Sequence, residues 1–179
     1  MKVSVFGGSQ AKEGSQAYAD AQALGVMLAR NGHTVLTGGY IGIMEAVSKG
    51  AAGAGGHVIG VTCEELGRRH GRVVNHWVTE EWKKITLLER LQALIEGSDA
   101  ALALPGGPGT LTEIALTWNL MIVGSLGRRP LILVGEAWRL VLDAFYSQLG
   151  DYTPSGQREL LQFVATPSAA VEMLERMST

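Results

Sequence analysis

At 179 residues, with 46% apolar and 18% charged side chains, the chain has the make-up of one compact globular domain over 1–179, able to bury roughly 70% of its unfolded surface, which excludes a disordered protein. A formal net charge of −2 and a pI near 6.1 give no field to collect a polyanion, so nucleic acid is not an expected partner; every apolar run is too short to cross a bilayer, so no membrane is expected either. Cys63 is the only cysteine, and no charged-then-apolar leader precedes the first predicted strand; together they lead to an expectation of a cytoplasmic protein without an internal disulfide.

The first apolar run predicts a strand over 3–6 that stops at Gly7-Gly8-Ser9, and helical spacing follows from about 16 to 30, closed by Gly32. The alternation repeats with a strand over 34–37, a glycine loop from Gly38, a helix to about 52 and a strand over 58–61. The stretch 64–81 is the least regular and carries a basic cluster of Arg68, Arg69, His70 and Arg72. Beyond it the spacing predicts a helix over 84–96, a strand over 100–104, a helix from Thr110, a strand over 131–134 and a helix over 137–149. A strand over 163–165 and a final helix capped by Thr166-Pro167 complete the chain. Strands that are apolar throughout, separated by single helices, imply a parallel sheet covered on both faces, an α/β doubly wound, Rossmann-like layout.

In such sheets a ligand binds outside the carboxyl ends of the strands. Three glycine clusters fall there, at Gly7-Gly8-Ser9, at Gly38-Gly39-Tyr40-Ile41-Gly42 and at Gly106-Gly107-Pro108-Gly109-Thr110. One such loop reads as a tight turn; three at one sheet edge read as an anion site, where backbone amides and helix N-termini converge on a phosphate. No loop carries the lysine of a Walker-type sequence or spells a dinucleotide fingerprint, so a small monophosphate fits better than ATP or NAD. Thr110 and Glu113 suit two roles equally: a capping box, or a phosphate ligand followed by a catalytic acid. Ser9 likewise suits a phosphate contact or a helix cap. Arg90 taken by itself reads as a solvated helix residue paired with Glu89 or Glu96.

Pro105-Gly106-Gly107-Pro108-Gly109-Thr110-Leu111-Thr112-Glu113 matches PGGxGTxxE, Gly38–Met44 looks like GGxxGLM, and Arg90 stands nine residues before Asp99. With these features the chain resembles the LOG family of cytokinin riboside 5′-monophosphate phosphoribohydrolases, formerly labelled possible lysine decarboxylases. The resemblance runs from Val3 to about Val134. It implies a homodimer that hydrolyses the N-glycosidic bond of a nucleoside 5′-monophosphate, AMP or an N6-modified AMP, without metal or other cofactor. Gly106, Gly107, Gly109, Thr110 and Ser9 would hold the phosphate, Gly8, Gly39, Gly42 and Met44 would border the nucleotide, and Glu113 and Arg90 would serve catalysis. Leu91, Thr112 and Pro108 depart from the family pattern and bear on base preference. A related branch of molybdenum cofactor carriers supplies the alternative, a non-catalytic nucleotide or pterin-phosphate binder.

The chemistry suits those residues. Cleaving a ribosyl C1′–N bond builds positive charge on the sugar, which a fixed carboxylate stabilises. None of the five lysines lies in a motif loop to form a Schiff base, and the histidines and Cys63 show no metal-ligand spacing. The stretch Ile114 to Val123 of the predicted helix is apolar nearly all round, through Leu116, Trp118, Leu120, Met121 and Ile122, and implies either a dimer face or cover by the C-terminal segment.

Overall fold

The computed structural model describes residues 1–153 and 156–178. Its strands are β1 (Lys2–Phe6), β2 (Thr34–Thr37), β3 (Val58–Cys63), β4 (Glu80–Lys84), β5 (Ala100–Ala103), β6 (Leu131–Val134) and β7 (Gln162–Val164). The helices are α1 (Gln16–Arg30), α2 (Ile43–Gly53), α3 (Glu64–His70), α4 (Leu87–Glu96), α5 (Pro108–Ile122), α6 (Glu136–Leu149) and α7 (Pro167–Ser178). All seven strands form one parallel sheet in the order β4-β3-β2-β1-β5-β6-β7. Strand order reverses between β1 and β5, which makes their C-terminal ends the switch point where ligands bind in doubly wound sheets.

Alternation along each strand sends side chains to opposite faces, and both faces are covered. Val3, Val5, Val35 and Leu102 pack with Leu24 and Leu28 of α1, Val47 of α2 and Leu174 of α7. Phe6, Leu36, Ala101 and Leu133 pack with Leu94 of α4, Ile114 and Trp118 of α5 and Trp138 of α6. Near-continuous apolar runs are what such double burial requires, so the central strands were readable from sequence.

The structure corrects several boundaries. The irregular stretch contains α3 and leads into β4, an edge strand reading Glu-Glu-Trp-Lys-Lys with mostly exposed side chains. An edge strand pairs on one side only and uses charge to discourage further pairing, so it lacks the apolar signature of its neighbours. Lys84, placed by its spacing in a helix, ends β4 instead, and α4 starts at Leu87 behind a capping box made by Thr86 and Glu89. Of the two roles open to Thr110 and Glu113, the capping box is absent: α5 begins at Pro108 with Gly107 as its N-cap, so Thr110 already lies inside the first turn. Ser15 rather than Ser9 caps α1, accepting from the Tyr18 amide at 3.3 Å. Thr166 does cap α7, accepting from the Ala169 amide at 3.2 Å.

Helix α5 gains part of its cover from within the chain. Trp118 lies against Phe145 and Tyr146 of α6 and donates its indole N–H to the Gln157 carbonyl at 2.9 Å, so the C-terminal third shields one side. Leu111 and Val123 remain exposed.

Candidate active site

The glycine loop after β1 lies between the other two and is hydrogen-bonded to both. The Gly8 amide donates to the Pro105 carbonyl at 3.1 Å, and the Gly8 carbonyl accepts from the Ile43 amide at 2.9 Å. Gly42 stands where the chains nearly touch: its φ is +77°, and a Cβ there would come within 2.6 Å of the Gly8 oxygen and the Ser9 backbone. A side chain at this position would be strained by its dihedral and blocked by its neighbours. The three loops are thus joined along one edge, where Gly8, Ser9 and Gly42 lie together, while Gly39 packs against Gly60 and Thr62 of β3.

The loop after β5 presents backbone amides, unpaired among the described residues, at the start of α5. Trp138 of α6 fixes its root by donating to the Leu104 carbonyl at 3.1 Å. Residues 105–109 are exposed, and the first helical bond of α5 runs from the Leu111 amide to the Gly107 carbonyl at 3.0 Å. The amides of Gly106, Gly107, Gly109 and Thr110 have no acceptor among the described residues. Pro108, with no N–H to leave idle, occupies the first helical position. Free amides at the positive end of a 15-residue helix are a natural phosphate site. The Thr110 side chain is buried, with Oγ1 packed so closely under Gly106 that a Cβ on Gly106 would lie 2.1 Å from it.

Glu113 lies three residues beyond Thr110, about 4.5 Å further along the helix axis and on the same face. Its side chain turns inward and is 10% exposed. There Oε1 stands 3.9 Å from Arg90 Nη1, close enough for charge to act but beyond hydrogen-bonding reach. Burial pushes the Glu113 carboxyl up to about 7, with the Arg90 charge pulling the other way. A carboxyl poised between its two forms near neutral pH is equipped to exchange a proton.

Arg90 is not the solvated helix residue its local pattern suggests. Glu89 is consumed by the α4 cap and Glu96 binds Gln92, while Arg90 runs under the sheet edge and is buried. Its Nε donates to the Val61 carbonyl at 2.8 Å and Nη2 to the Gly38 carbonyl at 3.2 Å, with Met44 Sδ at 3.8 Å and the Tyr40 ring 5.5 Å from Cζ. Gly38 must lack a side chain, because a Cβ there would lie 1.8 Å from Nη2. One guanidinium thereby ties β3, the β2 loop and α2 to the carboxyl on α5, a task for which the planar fork of arginine is suited.

Sequence reasoning did not single out Tyr40 or Asn75. The Asn75 amide donates to the Gly39 carbonyl at 2.8 Å and its side chain to the Tyr40 carbonyl at 2.9 Å, which pins the β2 loop from above. The contact spans more than 30 residues, and no local pattern carries it.

The class is that of a Rossmann-like α/β protein with its glycine loops at the topological switch point. The pattern of the SLOG cluster4 family matches residues 1–148, and the chain belongs to this family, within the LOG group. A cytokinin riboside 5′-monophosphate phosphoribohydrolase of Arabidopsis thaliana is 35% identical over 97% of this chain and 81% of its own length. A probable enzyme of the same name from Oryza sativa subsp. japonica is 29% identical over 99% of this chain and 71% of its own. Among solved structures, the molybdenum cofactor binding protein of Rippkaea orientalis superposes with a TM-score of 0.78 at 25% identity, covering 99% of this chain and 97% of that one.

Proposed function

We propose that this chain hydrolyses the N-glycosidic bond of a nucleoside 5′-monophosphate such as AMP or an N6-modified AMP, releasing the free base and ribose 5-phosphate. The observation that carries the reading is the Glu113 carboxyl, buried against Arg90 one helical turn below four free backbone amides. The phosphate sits on the amides of Gly106, Gly107, Gly109 and Thr110, with Ser9 at its rim, and the ribose extends along Gly8, Gly39 and Gly42 toward Met44. Fixing the phosphate holds C1′ in position, so remote binding energy serves the reaction. As the C1′–N bond breaks, its electron pair leaves with the base; ionised Glu113 stabilises the cationic sugar and takes a proton from the water whose oxygen bonds to C1′. That proton then returns to the departing base. Arg90 keeps Glu113 oriented and partly ionised, and holds the β2 loop in place.

The family relatives named as phosphoribohydrolases support hydrolysis, and the likeness to a molybdenum cofactor binding protein supports a carrier. A carrier needs the amide seat but has no use for an inward carboxyl poised near neutrality. A second copy of this chain is the proposed cover for the exposed Leu111 and Val123 on α5. Incubating the purified protein with AMP and separating the products by chromatography tests the activity. Hydrolysis yields adenine and ribose 5-phosphate in equal amounts; AMP that is bound and recovered intact establishes the carrier instead.

A further inference from the structure

A cavity of about 510 Å³, within the range of small-molecule sites, opens at the C-terminal ends of β3 and β4, and none of the residues assigned to hydrolysis lines it. Its wall includes Arg68, Arg72 and Lys83 against Glu64 and Glu81, with the exposed Val73 and the edge of the buried Tyr40 completing it. Both acids are engaged: Glu64 stands 3.9 Å from Arg68 and 3.6 Å from Lys83, and Glu81 accepts the Thr62 hydroxyl at 2.5 Å. Arg72 is half-buried, and among the described residues it has neither an ion pair nor a hydrogen bond. An unpaired guanidinium lining a cavity offers donors to an anion, and its planar fork matches phosphate oxygens. The segment bearing Arg72 is held in place downstream, where Asn75 is bonded to the carbonyls of Gly39 and Tyr40.

We propose that this cavity is a second binding site that takes a small organic phosphate, a sugar phosphate or nucleotide, with its phosphate on Arg72 and its body against Val73. It is separate from the seat on α5: β1 and β2 lie between β5 and β3, and at about 4.8 Å per strand the sites stand roughly 14 Å apart. One phosphate group cannot occupy both. The sites share a wall, since the Tyr40 hydroxyl is bonded to both the amide and the carbonyl of Cys63 while its ring faces Arg90.

Calorimetric titration with ribose 5-phosphate, which has no base to lose, tests the site. The wild type is expected to bind two equivalents per chain. Arg72→Ala should weaken one of them by about 10–100-fold, the worth of a charge-assisted hydrogen bond, and Arg72→Lys should recover part of the loss. Lys83→Ala, on the exposed edge strand, should weaken the same equivalent, and thermal melting of each variant separates lost binding from lost fold. Gly107→Asp, which addresses the seat on α5, should remove only the other equivalent. A single equivalent that disappears in Arg72→Ala and persists in Gly107→Asp would support this cavity while removing the α5 seat. Binding unchanged in Arg72→Ala, or a single equivalent lost only in Gly107→Asp, would overturn the proposal.

Discussion

Glu113→Gln is expected to lower AMP turnover by about 10²–10⁴-fold, the usual worth of a positioned proton-transfer group, while phosphate binding survives. Glutamine has nearly the same shape and cannot ionise. In the wild type the folded carboxyl titrates near 7 against 4.5 as its ordinary value. Between those two pH values the unfolded chain releases a proton that the folded chain keeps, so folding stability falls as pH rises through the window. The loss amounts to about 3 kcal/mol once both states are ionised. The variant lacks this penalty, so its stability relative to wild type should climb from pH 4.5 to about 7 and then level off in paired denaturation curves. Wild-type turnover should rise through the same upper limit, because the ionised form stabilises the sugar cation. Turnover that falls as pH passes 7 would instead assign Glu113 the role of an acid toward the base.

Gly107→Asp is expected to weaken AMP binding by about 10²–10³-fold with no loss of stability. Gly107 caps α5 with an ordinary extended φ of −96°, and a Cβ there meets nothing within 4 Å. Aspartate is a favoured N-cap whose side chain accepts from the free amides of the first turn, worth a few tenths of a kcal/mol over glycine. Those amides are the ones the phosphate needs, and the new carboxylate repels it, a like-charge contact that costs several kcal/mol. The neighbouring Gly106 would not serve, since any side chain there runs into Thr110 and the Gly8 amide. Melting temperature and affinity should thus move in opposite senses. Unaltered AMP affinity would place the phosphate off this loop.

The sequence made the central sheet legible because β1, β2, β3, β5 and β6 are buried on both faces and read as short apolar runs. It hid β4, whose edge position favours charge, and α3, seven residues with little apolar pattern. Local motifs misled where two chemistries share one spelling. Thr110 and Glu113 have the spacing of a capping box, yet the box that forms is at Thr86 and Glu89; Ser9 precedes α1, yet Ser15 caps it. The glycine loops and Glu113 were marked by motif spacing, Arg90 by the family resemblance alone, and the contact between Arg90 and Glu113 appears only in the structure. The burial of Arg90 beneath Gly38, and the hold of Asn75 on the Tyr40 loop, arise from contacts across the sheet that no window of sequence contains.

The central claim is that a phosphate on the α5 amides brings the sugar against the carboxyl of Glu113. A crystal structure of Glu113→Gln with AMP tests it most directly. The account predicts phosphate oxygens within hydrogen-bond distance of the amides of Gly107, Gly109 and Thr110, and the residue 113 side chain facing C1′. A phosphate bound away from that loop, or a ribose turned from residue 113, would contradict it.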